Sequence, residues 1–414
     1  MRVCLSTYGS RGDVQPLVAL AVQLQAFGAQ VRVCAPPDEE FAELMARVGV
    51  PLAPAFSPVR ELAKDRLNRK VRTDLPRVAA QIMAAQFDSI AAAAEGCDVL
   101  MATGVFSSMA AARSVAEKLG IRYICAAYCP LFLQSPYHRP YEYPGWPHPL
   151  GVTDNRVLWE LDVQTMNAVY GDAFNTQRAS IGLPTVNNIR DHIYTDHPWL
   201  AADPVLAPWR RPTPLDVVQT GAWVLTDERP LPAKLVAFLD AGTPPVYVGF
   251  GSMPQQTLKD VARTTIDMIC ARGRRALVYQ GWADLAPIDD RGDCFAIGEV
   301  NQQALFQRVD AVIHHGGAGT TTTATRAGTP QVVVPQYGDQ PYWAGRVVDL
   351  GIGAAHVDPI PTAESQSEAL RVALAPETRA RATAVAGTIR TDGAKVAARL
   401  LLDAVSQEKT PASG

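Results

Sequence analysis

The sequence is short of paired cysteines and of long apolar runs, and each shortage excludes a class of protein. Its 414 residues hold seven cysteines, an odd number, with no Cys-x-x-Cys pair and no Cys/His group at metal-binding spacing. We therefore expect free thiols in a reducing cytoplasm rather than a disulfide framework or a zinc site. No apolar run approaches the roughly 18 residues that span a membrane. We expect neither a signal peptide nor stable membrane insertion.

The chain also lacks an excess of positive charge. Its net charge is −3 and its pI about 6.2, whereas a nucleic-acid-binding protein usually has a strongly basic balance. No nucleic-acid partner is therefore expected. With 48% hydrophobic residues, a chain of this length exceeds one ordinary core and suits two domains.

Strand and helix patterns alternate in both halves of the chain, which is typical of parallel sheets built from βαβ units. Strands are predicted at Val3–Thr7, Val31–Ala35, Asp98–Ala102, Arg122–Ala126, Pro245–Phe250, Ala276–Tyr279, Cys294–Ile297, Ala311–His314 and Gln331–Val334. Helices are predicted at Val14–Phe27, Glu39–Val48, Phe106–Leu119 and Ala394–Ser406. A proline-rich stretch interrupts the alternation. We predict two Rossmann-like domains, residues 1–203 and 217–393, joined by a linker at 204–216.

The segment His314–Thr320, with the sequence HHGGAGT, is the most informative in the chain. It follows an apolar strand pattern and precedes an Ala/Thr-rich helix pattern. In such a turn, backbone N–H groups and the positive end of the helix face an anion. Glycines let a phosphate approach the backbone, and Thr320 adds a hydroxyl donor. The segment therefore predicts a phosphate site.

A second polar pair follows the next predicted strand. Asp339 and Gln340 should lie on the neighbouring loop of the same parallel sheet. A carboxylate beside an amide can bind the vicinal hydroxyls of a sugar. A phosphate site next to a reader of hydroxyls predicts a nucleotide sugar as ligand.

These motifs resemble those of a known enzyme family. HHGGAGT followed by PQYGDQPYWAGRV, with GSRGDVQP near the N-terminus, is similar to the glycosyltransferases of the GT-B fold. The similarity is greatest to the enzymes that glycosylate vancomycin-type glycopeptide antibiotics, with sterol and macrolide glycosyltransferases as relatives. It extends along the whole chain. The fold class expected is α/β, with two Rossmann-like parallel-sheet domains facing across a cleft.

The resemblance implies an inverting, metal-independent transfer from a dTDP- or UDP-sugar to a hydroxyl of a glycopeptide aglycone or pseudoaglycone. The sugar nucleotide is a co-substrate, and no cofactor is expected. The helix within residues 394–414 is expected to return to the N-terminal domain, followed by a frayed tail. The residues implied to bind the donor are Ser10, Arg11, Ser252, Val300, Gln303, His315, Gly317, Gly319, Thr320, Asp339 and Gln340.

Asp13 is the candidate catalytic base. Standing alone, an Asp at a helix start also suits a capping role. The resemblance favours catalysis, because macrolide and plant relatives have Gly-His-Val-x-Pro where this chain has Gly12-Asp13-Val14-Gln15-Pro16. Asp13 thus occupies the position of their catalytic histidine. A carboxylate there can take the proton of an attacking hydroxyl.

Two N-terminal segments fall outside the alternation. Residues 128–153 are rich in aromatics and prolines, and we predict an acceptor-binding wall there. Its candidate contacts are Tyr128, Phe132, Tyr141 and Trp146. Residues 56–77 are basic, and either a solvated surface or contact with an acidic or lipid-borne acceptor fits them.

Two other functions stay open on the sequence alone. One is a sterol or lipid glucosyltransferase, since GSRGDVQP and GDQPYW are typical of that class too. The other is a non-catalytic nucleotide-binding regulator that retains the fold. No metal site is expected. A metal-dependent transferase usually has a DxD pair of carboxylates at the diphosphate, whereas Asp289-Asp290 is an adjacent pair.

Overall fold

The computed structural model describes residues 1–60, 75–143, 145–250, 256–281 and 292–409. The chain forms two compact units. The first comprises residues 1–204, 208–225 and 390–414, and the second comprises 205–207 and 226–389. Each unit is an α/β structure built on one parallel sheet.

The sheet of the first unit has seven strands in the order β3-β2-β1-β4-β5-β6-β7, and every pairing is parallel. The strands are β1 Arg2–Tyr8, β2 Gln30–Ala35, β3 Leu52–Pro54, β4 Val99–Gly104, β5 Arg122–Ala127, β6 Trp199–Leu200 and β7 Val218–Gln219. Its helices are α1 Arg11–Ala26, α2 Glu39–Arg47, α3 Leu75–Ala94, α4 Phe106–Leu119, α5 Asn155–Ser180, α6 Ile189–Tyr194 and, from the C-terminus, α14 Gly393–Lys409. Central strands covered on both faces account for their nearly continuous apolar sequences.

Helix α14 packs in the core of the first unit. Its side chains Ala397, Ala398 and Leu401 are fully buried in the same apolar cluster as Leu17 and Leu20 of α1. The Arg122 guanidinium donates a hydrogen bond of 3.1 Å to the Ala404 carbonyl. The last helix is thus part of the first unit, although the whole second unit lies between the two in sequence.

The sheet of the second unit has six parallel strands in the order β10-β9-β8-β11-β12-β13. The strands are β8 Val246–Gly249, β9 Ala276–Tyr279, β10 Cys294–Ile297, β11 Ala311–His314, β12 Gln331–Val333 and β13 Gly353–Ala355. The helices are α7 Ala233–Asp240, α8 Gln256–Ala271, α9 Gln302–Leu305, α10 Ala318–Arg326, α11 Gln340–Asp349, α12 Ala363–Ala373 and α13 Pro376–Ala386. Two apolar clusters fill this unit.

The domain boundary in the structure differs from the prediction, which places residues 217–225 in the second domain. They belong to the first unit, because Val218–Gln219 pairs with Trp199–Leu200 as an edge strand. The sequence predicts the helices α1, α2, α4, α10 and α14, and the other helices are found only in the structure. No helix within the described ranges is long and apolar enough to cross a membrane.

Candidate functional site

In the second unit, the HHGGAGT segment forms a strand–turn–helix at the carboxyl edge of the sheet. Strand β11 ends at His314 and helix α10 begins at Ala318. The N-cap residue is Gly317, and no side chain caps the helix. The first N–H groups of a helix have no partner within it, so they point outward with the positive end of its dipole. This turn therefore offers backbone donors to an anion.

The three glycines of the turn have different surroundings. Gly316 has a φ of 90°, and a Cβ there would lie 2.7 Å from the Val333 side chain. A Cβ on Gly317 would lie 2.6 Å from Nε2 of His315. A Cβ on Gly319 would meet nothing within 4 Å. The backbone conformation therefore favours glycine at 316, a side chain at 317 would displace the His315 ring, and Gly319 leaves open space beside the helix start.

The imidazole of His315 lies over this turn. Its Nδ1 is buried and has no hydrogen-bond partner in the part of the chain that the structure describes. Burial lowers the pKa of His315 to about 4. The ring is therefore neutral near pH 7 and offers one N–H donor and one acceptor nitrogen.

His314 supports the turn through hydrogen bonds of both of its ring nitrogens. It is fully buried, and its Nδ1 accepts a hydrogen bond of 3.1 Å from the Gly316 N–H. Its Nε2 lies 3.0 Å from the Gln331 side-chain oxygen, so that nitrogen carries the proton in a neutral ring. Gln331 in turn donates to the Thr325 hydroxyl. Burial lowers the pKa of His314 to about 3, which keeps this chain of bonds in one protonation state.

Thr320 stands apart from the other threonines of α10. Thr321, Thr322 and Thr323 each donate their hydroxyl to the carbonyl four residues earlier. Within the described residues, the hydroxyl of Thr320 makes no such bond. In the first turn of the helix, it can serve an anion bound at that end.

Asp339 and Gln340 lie on the loop after β12, the neighbour of β11 in the sheet. The two loops meet, since a Cβ on Gly316 would lie 3.1 Å from the Gln340 carbonyl. The Asp339 carboxylate accepts a bond of 2.6 Å from the Trp343 indole N–H. Burial raises the pKa of Asp339, and that bond opposes the rise.

The Gln340 side chain shapes its own loop. The side-chain oxygen Oε1 of Gln340 accepts hydrogen bonds from the backbone N–H groups of Gln336, at 2.7 Å, and Tyr337, at 3.2 Å. Because these bonds fix the carbonyl, the orientation of the amide nitrogen is fixed too. Gln340 is buried, so its amide is oriented within the loop, whereas the oriented Asp339 carboxylate belongs to a half-buried residue.

Val300 and Gln303 follow the carboxyl end of β10. This strand is the outermost on one side of the sheet, and β9 and β8 separate it from β11. Val300 is half-buried against the core, and the Gln303 carbonyl accepts a bond from Gln307. Asn301 caps α9 and donates to the carbonyls of Asp227 and Arg229, which fixes this segment. The predicted donor contact Ser252 lies outside the described residues, as does the pair Asp289-Asp290, for which no metal site is expected.

In the first unit, Asp13 lies in the first turn of α1. Its carboxylate accepts a hydrogen bond of 2.8 Å from the Ser10 N–H, while the Ser10 hydroxyl accepts from the Gly12 N–H. This is a capping box. Gly9 makes room for it, because a Cβ there would lie 2.1 Å from the Asp13 carboxylate. Asp13 remains half-buried, so it is held in one orientation and still meets solvent.

The neighbours of Asp13 are also oriented by local bonds. The guanidinium of Arg11 donates to the Gln15 side chain at 3.1 Å. Tyr128 donates its hydroxyl to the Asp13 carbonyl at 3.1 Å and packs edge-on against the buried Trp223 ring. Among the four predicted acceptor residues, Tyr128 is thus the one in contact with Asp13.

Two other predicted acceptor residues, Phe132 and Tyr141, belong to an aromatic cluster on the loop after β5. Phe132 and Tyr141 pack with ring centroids 5.7 Å apart, and Tyr141 contacts Tyr143. These rings are half-buried, whereas Trp146 is 39% exposed. The packed rings of Phe132, Tyr141 and Tyr143 therefore support the loop, whereas Trp146 lies in its exposed part. Of the basic segment 56–77, residues 61–74 lie outside the described residues.

One buried ion pair that supports this loop was missed from the sequence. Arg190 donates to Asp162 at 2.7 Å and to the Phe132 carbonyl at 3.0 Å, and its guanidinium lies 4.5 Å from the Trp159 ring. Burial raises the pKa of Asp162, and Arg190 opposes the rise. The partners are 28 residues apart in sequence, and no local pattern marks such a pair.

Comparison with known proteins agrees with this geometry. Residues 3–137 match the glycosyltransferase family 28 N-terminal domain, and residues 292–397 match the erythromycin biosynthesis protein CIII-like C-terminal domain. Among solved structures, the glycotransferase of kitacinnamycin superposes with a TM-score of 0.74 at 19% identity, covering 98% of this chain and 99% of that one. The glycosyltransferase VinC, in complex with dTDP, gives 0.66 at 18% identity, covering 98% and 100%. At these identities the likeness shows the fold.

The sequence relatives are much nearer. "Glycosyltransferase GtfE" of Amycolatopsis orientalis is 58% identical over 409 residues, which is 99% of each chain. "Vancomycin aglycone glucosyltransferase" of the same organism is 56% identical over 413 residues and 100% of each chain. The protein therefore belongs to the nucleotide-sugar glycosyltransferases of the GT-B fold, and within them to the group of the vancomycin-type glycopeptide glycosyltransferases.

Proposed function

We propose that the protein moves a sugar from a dTDP- or UDP-sugar to a hydroxyl of a glycopeptide antibiotic aglycone or pseudoaglycone, with inversion at the anomeric carbon. The observation that carries the donor half is the uncapped start of α10 beneath His315. The acceptor half rests on whole-length identity of 50–58% to relatives such as the vancomycin aglycone glucosyltransferase and the dTDP-epi-vancosaminyltransferase.

The second unit has the dimensions for a sugar nucleotide. Strands β8 and β9 separate β10 from β11, so the segment with Val300 and Gln303 lies three strand spacings from His315. At about 4.8 Å per spacing this is about 14 Å. A nucleoside joined to a diphosphate can bridge that distance. The base then lies near Val300 and Gln303, and the diphosphate at Gly317, Gly319 and Thr320.

The sugar is assigned to the loop after β12. Gln340 contacts the segment His314–Thr320, which we call the phosphate turn, and Asp339 precedes Gln340 in the chain with an oriented carboxylate. A carboxylate accepts hydrogen bonds from vicinal hydroxyls and an amide nitrogen donates to them. Hexose donors with free hydroxyls fit this pair.

The reaction proposed is one displacement. The acceptor oxygen bonds to the anomeric carbon as the bond from that carbon to the diphosphate oxygen breaks, and the hydroxyl proton passes to the Asp13 carboxylate. The negative charge that develops on the diphosphate is stabilised by the N–H groups of α10, by Thr320 and by the neutral His315. Ser10, Arg11 and Ser252 are proposed as further donor contacts. No divalent cation takes part in this scheme.

The acceptor is assigned to the loop after β5. Besides Trp146, Leu150 is fully exposed and Tyr137 is 41% exposed. Exposed aromatic and apolar side chains on a supported loop suit the broad aromatic faces of a glycopeptide aglycone. Tyr128 links this wall to Asp13 through its hydroxyl bond.

A sterol or lipid acceptor is the second candidate, and a specific observation motivates it. "Sterol 3-beta-glucosyltransferase UGT80B1" of Arabidopsis thaliana is 28% identical over 96% of this chain. The glycopeptide relatives are 50–58% identical, which favours a glycopeptide acceptor. Pelleting with anionic vesicles tests the alternative, since tight binding would favour a lipid acceptor.

A transfer screen tests the proposal directly. Vancomycin- and teicoplanin-type aglycones are incubated with a panel of dTDP- and UDP-sugars in excess EDTA, and products are detected by mass spectrometry. We expect one hexose or deoxyhexose added to an aglycone. His315→Ala should reduce transfer about 10- to 150-fold with every donor, as loss of about 1.5–3 kcal/mol at a phosphate predicts.

Two outcomes would contradict the proposal. Transfer that depends strictly on added Mg²⁺ or Mn²⁺ would refute the metal-independent scheme. If neither transfer nor donor hydrolysis is detected with any acceptor, the result favours the non-catalytic nucleotide-binding function instead.

A further inference from the structure

Two cysteines and one aspartate meet at the edge of the second unit opposite the phosphate turn. Cys270 lies at the C-terminal end of α8, and Cys294 is the first residue of β10. Their sulfur atoms are 3.2 Å apart. A carboxylate oxygen of Asp293 and both sulfurs all lie within 4.8 Å of one another. Both cysteines are half-buried.

The carboxylate of the cluster has one oxygen atom suited to a bound cation. The Asp293 Oδ1 atom is buried and makes no hydrogen bond with the residues that the structure describes. A cation bound between this oxygen and the two sulfur atoms would be a common partner of all three groups.

The distance between the sulfurs favours a shared metal ion over a disulfide. Tetrahedral zinc bonds of about 2.3 Å to each sulfur place the two sulfurs about 3.8 Å apart. The thiols would then move apart by about 0.6 Å. A disulfide of about 2.05 Å would require them to approach by more than about 1 Å. A disulfide also leaves the buried Asp293 oxygen without a partner.

We propose that Cys270, Asp293 and Cys294 form a binding site for one thiophilic divalent cation of the zinc class. Two thiolates and one carboxylate supply three ligands, and a water molecule completes a tetrahedron. Each thiol loses its proton to solvent on binding, so one bound cation releases two protons.

The site is independent of the proposed reaction. Cys294 pairs with Ala276 at the amino ends of β10 and β9, whereas the phosphate turn follows the carboxyl end of β11. A cation there joins the end of α8 to the start of β10 and stabilises the second unit by mass action. Its binding is therefore measurable without substrate.

The test titrates the reduced, metal-free full-length protein with Cd²⁺ and follows the ultraviolet thiolate-to-cadmium charge-transfer absorbance. We expect saturation at one equivalent, displacement by Zn²⁺, release of two protons per ion, and a higher melting temperature. Cys270→Ser and Cys294→Ser should each abolish the absorbance. Asp293→Asn should weaken binding by more than about tenfold.

Cys97→Ser is the matched control, since that buried thiol belongs to the first unit, and it should bind Cd²⁺ like the unchanged protein. Circular dichroism of each variant separates lost binding from lost folding. Absorbance that persists in both Cys270→Ser and Cys294→Ser would overturn the proposal. So would a Cys270–Cys294 disulfide that forms under reducing conditions and prevents binding.

Discussion

At the scale of single residues, Asp13 caps a helix and is also the base that we propose, and one substitution separates the two roles. Its carboxylate closes a capping box with Ser10, which holds it in one orientation. The same orientation leaves it half-buried rather than enclosed, as a base that receives a proton from a bound hydroxyl requires. The cap thus positions the group that we propose as the base.

Asp13→Asn should retain the cap and lose the base. Asparagine caps a helix about as well as aspartate, so the melting temperature and the affinities for donor and acceptor should change little. The amide oxygen has no comparable basicity, so the single-turnover rate should fall by about 10²–10⁴-fold. Rapid-quench kinetics and thermal denaturation measure the two effects.

The matched control is Asp154→Asn. Asp154 caps α5 in the same unit through a bond of 2.9 Å from the Arg156 N–H, and no chemistry is assigned to it. Both its rate and its melting temperature should stay near those of the unchanged protein. If Asp13→Asn behaves in the same way as this control, Asp13 only caps the helix and the base is another group.

At the scale of elements, the turn from β11 to α10 contains glycines with different constraints. A side chain on Gly317 would displace His315, whereas one on Gly319 would enter open space. Because Gly319 is exposed in the first turn of α10, that space is where a phosphate can approach the backbone. The fold has room for a methyl group there, and we expect that group to obstruct the proposed diphosphate.

Gly319→Ala should therefore weaken donor binding without weakening the fold. Replacing a helical glycine by alanine stabilises a protein by about 0.4–1 kcal/mol where the backbone permits it, so the melting temperature should stay the same or rise. Donor affinity, measured by calorimetry with dTDP and UDP, should fall at least about tenfold, since a methyl group blocks the phosphate.

Gly171→Ala provides the control. Gly171 lies within α5 of the first unit, and a Cβ there also meets nothing within 4 Å. It should gain stability and bind nucleotide normally. Unchanged nucleotide affinity in Gly319→Ala would show that the diphosphate does not approach the start of α10.

At the scale of the whole molecule, each unit is assembled from separate stretches of chain. The first contains β7 and α14 as well as the N-terminal half. Gly393, at the start of α14, lies against the turn at Gly221, where a Cβ on Gly393 would be 2.4 Å from the Ala222 carbonyl. Exchanging residues 1–203 alone would therefore divide one core between two sequences.

Chimaeras with the 50% identical dTDP-epi-vancosaminyltransferase should show this division. Transplanting residues 1–204, 208–225 and 390–414 together should preserve a melting temperature close to that of the parents. Transplanting 1–203 alone should lower it, because α1 and α14 then come from different chains. Acceptor preference should follow the first unit in the complete exchange. If it follows the second unit instead, the aromatic loop does not bind the acceptor.

Local signals explain how far the sequence alone could go. Strand–turn–helix patterns, the HHGGAGT turn and the strand before Asp339 depend on neighbours within about a dozen residues, so periodicity and turn chemistry reveal them. The parallel α/β class follows from these patterns, the family follows from the resemblance of the HHGGAGT, GDQP and GSRGDVQP motifs, and both are confirmed. The placement of His314 and His315 on either side of a strand end follows too, because adjacent strand residues face opposite sides.

The tertiary structure alone decided the contacts between distant residues. Arg190 finds Asp162, and Cys270 finds Cys294, across segments that periodicity does not relate. Residues 217–225 belong to the first unit because Val218–Gln219 adds to the open edge of its sheet, and their own composition does not specify which sheet that is. Such contacts depend on how the chain folds back through three dimensions, because burial and hydrogen bonding reward proximity in space irrespective of separation along the sequence.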